Sequence, residues 1–126
     1  MAEGFSTAAL NAVLDKILTD YPYIQLHTGA PGAGGLSNIA GNATRKDTSS
    51  SWSAAASGSK ATSADIDWSD AEVDTSEDYT HFSLWTSLTS GTFGFSGSVT
   101  ANAVNATGDE FSITSGGLVL SGTPAS

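Results

Sequence analysis

The sequence contains no cysteine, which excludes disulfides, thiolate zinc sites and cysteine nucleophiles. Positive charge is nearly as scarce: 4 Lys and Arg stand against 13 Asp and Glu, for a formal net charge of −9. So acidic a chain repels phosphate backbones, and no nucleic-acid partner is expected. No apolar run approaches the ~18 to 20 residues that span a bilayer, so no membrane partner is expected either. The opening Met-Ala-Glu-Gly-Phe lacks the basic region and apolar core of a secretory leader. Large apolar side chains are also few. Hydrophobic residues make up 39%, but many are alanine, and Ala, Ser, Thr and Gly together exceed half of the 126 residues. That suffices for a single domain, residues 1–126, with a thin core. It does not suffice for a large enzyme core around a deep pocket.

What is present begins with one amphipathic segment. Leu10, Val13, Leu14, Ile17 and Leu18 recur at the spacing of a single helical stripe. Ser6 is placed to cap the helix, and Phe5 and Leu10 stand where a hydrophobic staple would form. Pro22 disfavours helical geometry at Tyr21, so the helix is expected over about 6–20. From Tyr23 the period becomes two: Ile24 and Leu26 point one way, Tyr23, Gln25 and His27 the other.

Further short strands are expected over Arg45–Ala56, Ala61–Trp68, Tyr79–Trp85, Thr92–Val104 with a break near Gly97, Glu110–Thr114 and Leu118–Ser121. Turns are expected at Ser57-Gly58-Ser59, Ser90-Gly91, Thr107-Gly108-Asp109 and Ser115-Gly116-Gly117. The expected fold is mainly β. It is an antiparallel β-sandwich, jelly-roll-like or a flattened barrel, over about 23–121, with one N-terminal α-helix covering an edge or a face.

Candidate chemistry is thin. Asp65, Asp67, Asp70, Glu72, Asp74, Glu77 and Asp78 concentrate oxygen ligands, but Asp65-Ile-Asp67-Trp68 breaks the order of a calcium loop. The stretch reads as a solvated acidic loop, with no metal expected. His27 and His81, the two histidines, lack the H-E-x-x-H or G-x-S-x-G context of a catalytic site. Both fall at outward-phase positions and read as partly exposed structural histidines. The loop Gly29–Gly35 has no G-K-[ST] to hold phosphate and carries Pro31 in its middle, so it reads as a flexible or interface loop. The aromatics Trp52, Trp68, Trp85, Phe82, Phe93, Phe95 and Phe111 read mainly as sandwich core. Trp85 shares a face with His81 and Tyr79, which suggests a face reserved for assembly. Candidate interface residues are His27, Thr28, Pro31, Gly32, Asn38, Arg45, Lys46 and Trp85. No catalytic residue and no cofactor is expected.

The segment Leu26-His27-Thr28-Gly29-Ala30-Pro31-Gly32, followed by Gly35, Asn38, Gly41 and Arg45, resembles the L-H-T-x-x-P-G opening of small virion proteins of tailed bacteriophages. That group includes tail-fibre, minor tail and head-decoration proteins. The likeness continues through Trp52-Ser-Ala-Ala-Ala-Ser-Gly, Ala64-Asp-Ile-Asp-Trp68, Tyr79-Thr-His-Phe-Ser-Leu-Trp85 and Gly108-Asp-Glu-Phe111. The dense acidic stretch departs from the motif. The resemblance implies a compact, non-enzymatic β-module of the virion, made in the host cytoplasm. The expected role is capsid decoration: an accessory protein on the outer surface of the head, binding the major capsid protein as a homo-oligomer. The alternative is a minor tail or tail-tip fibre module that binds a host surface. A cell-wall hydrolase is a distant third.

Overall fold

A computed structural model describes residues 4–41, 44–73, 77–99 and 111–121. The helix α1 spans Thr7–Asp20, and the Ser6 hydroxyl caps it by accepting from the Ala9 amide at 3.1 Å. Its buried side is the narrow stripe Leu10, Leu14 and Leu18, each contributing about 1.5–3 kcal/mol through burial. Val13 is turned out of the core. With Ile17 and Tyr21 it lines an open apolar hollow of about 520 Å³ on the outer side of the helix. Phe5 is 55% exposed, so the expected staple is not closed.

Eight strands follow among the described residues: β1 (Tyr23–His27), β2 (Lys46–Asp47), β3 (Ser59–Ala61), β4 (Ile66–Trp68), β5 (His81–Trp85), β6 (Phe93–Ser98), β7 (Phe111–Ile113) and β8 (Val119–Ser121). They form a four-stranded antiparallel sheet in the order β2-β1-β5-β6 and two ribbons, β3-β8 and β4-β7. The expected mainly-β sandwich with one N-terminal helix is thus the observed architecture. Ile24 and Leu26 on β1, with Phe82 and Leu84 on β5, join the ribbon residues Ile66, Trp68, Phe111, Ile113 and Leu120 and the helical leucines in one core. Phe111 sits at its centre, edge-on to both Trp68 (5.7 Å) and Tyr79 (5.0 Å).

The helix is fastened to the ribbon side by polar bonds as well as leucines. Lys60 on β3 is nearly buried, and its ammonium reaches Asp15 at 2.7 Å and the Ser53 carbonyl at 2.8 Å. The same Asp15 oxygen accepts from the Ala55 amide, and Asn11 accepts from the Gly58 amide. A buried ammonium left alone would be costly, so its pairing with Asp15 matters more than surface ion pairs do.

Several expected strands are shorter than the alternation implies. Arg45–Ala56 is β2, a turn and the isolated bridges Trp52–Thr62 and Ala56–Ser59. Thr48 terminates the ladder by donating both its amide and its hydroxyl to the Pro22 carbonyl. The irregularity expected near Gly97 falls instead at Gly94, where the β5-β6 register shifts between Leu84 and Trp85. A side chain at Gly94 would strike the Tyr21 ring at 2.4 Å, so the strand bulges where the ring approaches. The Ser90-Gly91 and Ser57-Gly58 turns form as expected, all four residues at positive φ. The expected Thr107-Gly108-Asp109 turn and the distal part of Thr92–Val104 lie outside the described residues.

Candidate functional site

The second face of the four-stranded sheet carries Tyr23, Gln25 and His27 from β1 and His81, Ser83 and Trp85 from β5, in direct register. Alternation alone would expose this face. Instead Gln25, His27, Ser83 and Trp85 are buried, His27 and Ser83 with no exposed surface. The expectation of a partly exposed His27 is therefore corrected, while His81 remains half-exposed. The cover is the chain that follows β1. It turns back along the strand through Thr28 N–H to the Asn38 carbonyl, Ala40 N–H to the Leu26 carbonyl and a bridge between His27 and Ile39. Within it, Ser37 N–H donates to the Pro31 carbonyl and the Asn38 side chain donates to the Ala30 carbonyl. Pro31 is buried under this turn. Gly35, at φ 73°, lies flat on the Phe93 ring, where a Cβ would come within 2.4 Å. The loop expected to be flexible is hydrogen-bonded along its length.

Under the loop runs a directed chain of hydrogen bonds. The Ser37 carbonyl can only accept, so His27 donates from Nδ1 (2.8 Å), and the neutral ring's Nε2 accepts from the Ser83 hydroxyl (2.7 Å). Ser83 Oγ in turn accepts from Trp85 Nε1 at 2.7 Å. Arg45 covers the far side of Trp85, its guanidinium carbon 4.2 Å from the ring centroid. It also donates to the carbonyls of Ser87 (2.9 Å) and Ser90 (2.7 Å). Phe93 packs on Trp85 with centroids 5.6 Å apart. The 28–41 loop and the 86–92 hairpin loop are thus braced through one buried path. Burial pushes the His27 ring below its ordinary range, the Ser37 carbonyl partly offsets this, and the positive charges of His81 and Arg45 add to the lowering. Burial also lowers Arg45. Ser83 and His27 have the spacing of a hydroxyl and its base, but neither has a surface that a substrate could reach.

The candidate interface residues accordingly divide. His27, Pro31 and Trp85 are internal supports, and Arg45 is half-buried over Trp85. Thr28, Gly32 and Asn38 are exposed on the loop. Lys46 lies apart, held to Glu72 at 2.5 Å. Leu36 (68% exposed) and Leu88 (54% exposed), on the two braced loops, are the prominent apolar tips here and were not singled out from the sequence. Ser83 was missed too, although it shares the alternation phase of His27 and Trp85.

The acidic stretch is exposed to solvent at Asp65, Asp67 and Asp78, as expected, but it is not one loop: Asp67 lies on β4 and Asp70–Glu72 form a short 3-10 helix. Four of its carboxylates act as hydrogen-bond acceptors across the fold. Asp65 accepts from Ser115 N–H, Asp67 from the Ser112 hydroxyl, and Glu77 from Gly41 N–H and the Tyr79 hydroxyl. Glu72 accepts from Lys46, Thr44 and Ser69, and these donors, Lys46 foremost, hold its carboxyl down at about 2. Among the described residues no three His, Asp or Glu side chains gather where a metal ion could sit. Asp74 lies outside them. No helix there is long and apolar enough to cross a membrane.

Residues 4–121 match the protein family described as Podophage GP4 fiber I protein gp80. The chain belongs to this family. It is therefore a structural protein of the phage virion, of fibre type. Among curated proteins none matches it. The family description favours the fibre alternative over the capsid-decoration role expected first, because it names a fiber protein.

Proposed function

We propose that the chain is an adhesive fibre module of the tail, without enzymatic activity, that holds a host surface through the loops of the second sheet face. The fibre family match over residues 4–121 carries this reading. The site geometry supports it: two loops braced by a buried path, each presenting an exposed leucine, make a pre-ordered contact surface. Its anchor is another tail protein, and its copies assemble with each other, in place of the major capsid protein first expected. Binding here makes and breaks no covalent bond.

The test is to compare particles carrying Leu36→Asp or Leu88→Asp with the parent, after checking that the purified variants melt normally. Adsorption to cells should fall while heads remain intact. A protein census of the particle should give about three to twelve copies, as a tail of low rotational symmetry requires. Copies on the order of hundreds, as icosahedral repetition would give, with normal adsorption and heat-fragile heads, would return the decoration role.

A further inference from the structure

The four-stranded sheet ends in two very different edges. One edge, β2, has two residues, both charged, Lys46 and Asp47. The ribbon strands β3, β4, β7 and β8 have three residues each. The other sheet edge, β6, has six, Phe93-Gly-Phe-Ser-Gly-Ser98, about 20 Å of ladder. Among the described residues β6 pairs with β5 alone. Proteins blunt free edges with brevity, lysine or proline. β6 has none of these apart from the Gly94 bulge near its start. No Asp, Glu, Lys or Arg occurs between Asp78 and Asp109, so the edge lies within an uncharged stretch of a strongly acidic chain.

We infer that β6 is a pairing edge for a second copy of this chain, joined antiparallel about a two-fold axis at Ser96. The charge pattern favours a self-contact. Chains of net charge −9 repel, and the uncharged strand is where two of them can approach without opposing carboxylates. A basic or acidic partner strand would find nothing on β6 to complement.

The residue pattern is also self-complementary. A two-fold axis normal to the sheet keeps each face continuous, so opposed residues must share a face. With Ser96 opposite Ser96, Phe95 of each copy stands across from Gly97 of the other. That repeats an arrangement already inside the chain, where Phe82 pairs with Gly97 and its ring covers it. Phe95 is 37% exposed and lies 6.1 Å from Phe82 between ring centroids. Pairing would give its free side a neighbour, as an aromatic across from a glycine does in natural sheets. The two four-stranded sheets become one of eight strands, closed by symmetry so that no further copy can add at that edge. The inference stands on the edge itself and does not depend on what the loops bind.

The absence of cysteine makes the test direct. Opposed Cα atoms in an antiparallel pair lie about 4.5–5.5 Å apart, within the roughly 4.4–6.8 Å that a disulfide spans. Under mild oxidation purified Ser96→Cys should become a covalent dimer. Ser49→Cys, exposed in a turn after β2, should stay monomeric. In sedimentation the parent should be a dimer, and Ser96→Lys, which sets two like charges at the axis, should run as a monomer that still unfolds cooperatively, its melting no longer dependent on concentration. A monomeric parent at every concentration, a dimer that survives Ser96→Lys, or crosslinking of Ser96→Cys no faster than Ser49→Cys would each overturn the inference. So would a parent that is monomeric alone yet has β6 amides protected on the particle, since a strand of another virion protein would then hold the edge.

Discussion

Ser83→Ala removes one hydroxyl and orphans two buried groups. His27 Nε2 loses its donor, and Trp85 Nε1–H loses its acceptor. Neither can turn to water, because His27 is fully buried and Trp85 is 4% exposed beneath Arg45. Each unsatisfied group costs about 1–3 kcal/mol, so the loss is about 2–6 kcal/mol. For a chain of this size each kcal/mol moves the melting temperature by roughly 3–5 °C. A fall of about 6 °C or more is expected, read by circular dichroism and by urea unfolding with unchanged m-value. The network also predicts a pH signature. The His27 ring titrates near 6.5 when unfolded and lower when folded. Below 6.5 the unfolded chain therefore binds the extra proton, and stability falls as pH drops from there through the folded value. His27→Gln should flatten that slope relative to the parent. If Ser83→Ala melts within about 0.5 kcal/mol of the parent, the range of an ordinary surface change, the buried path does not exist in solution.

Leu14→Ala should cost about 2–5 kcal/mol in thermal or urea unfolding, as a fully packed core leucine does, whereas Val13→Ala, facing the open hollow, should be nearly silent. Glu72 contributes stability that is present above its ordinary value of 4.5 and lost as pH falls from there through about 2. The partly exposed Lys46 pair limits this contribution to about 1 kcal/mol. The urea midpoints of the parent and Glu72→Gln should therefore converge as the solution is acidified across that window.

Local patterns carried the helix and the two central strands. Leu10, Leu14 and Leu18 mark the buried side, Ser6 marks the start, and the alternation of Ile24 and Leu26 gives the face of β1. What local pattern could not carry is the second layer over that sheet. Gln25 and His27 read as outward because alternation reports only one core, and Ser83 and Trp85 share their face. Their burial depends on a loop returning along its own strand, with Gly35 flattened on Phe93. The exposure of the acidic stretch was legible, but its cross-fold bonds were not, for a similar reason. Asp65, Asp67 and Glu77 each meet a donor from a remote segment, and a run of carboxylates looks the same in sequence whether or not such donors arrive. The split of Arg45–Ala56 into β2 and a turn was hidden by Thr48, which ends the ladder by binding Pro22 across the fold. The candidate interface was legible as a loop. Its exposed tips, Leu36 and Leu88, were not, because each is an isolated leucine among small residues.

The strand pairing also sets a timetable. β1 waits for β5, with Tyr23 opposite Trp85, β4 for β7, with Ile66 opposite Ile113, and β3 for β8, with Ser59 opposite Ser121. Each of these ladders closes a long loop before any pairing energy is returned, the topology that folds in milliseconds to seconds rather than microseconds. During synthesis α1 can form early, but Lys60 has no closed ribbon beneath it until Leu120 has left the ribosome. A nascent chain therefore carries β6, the longest strand among the described residues and an uncharged one, exposed while its other ladders are still incomplete. Chains crowded together at that stage have a ready route to wrong partners, and the −9 charge carried elsewhere on the chain opposes that contact until folding is complete.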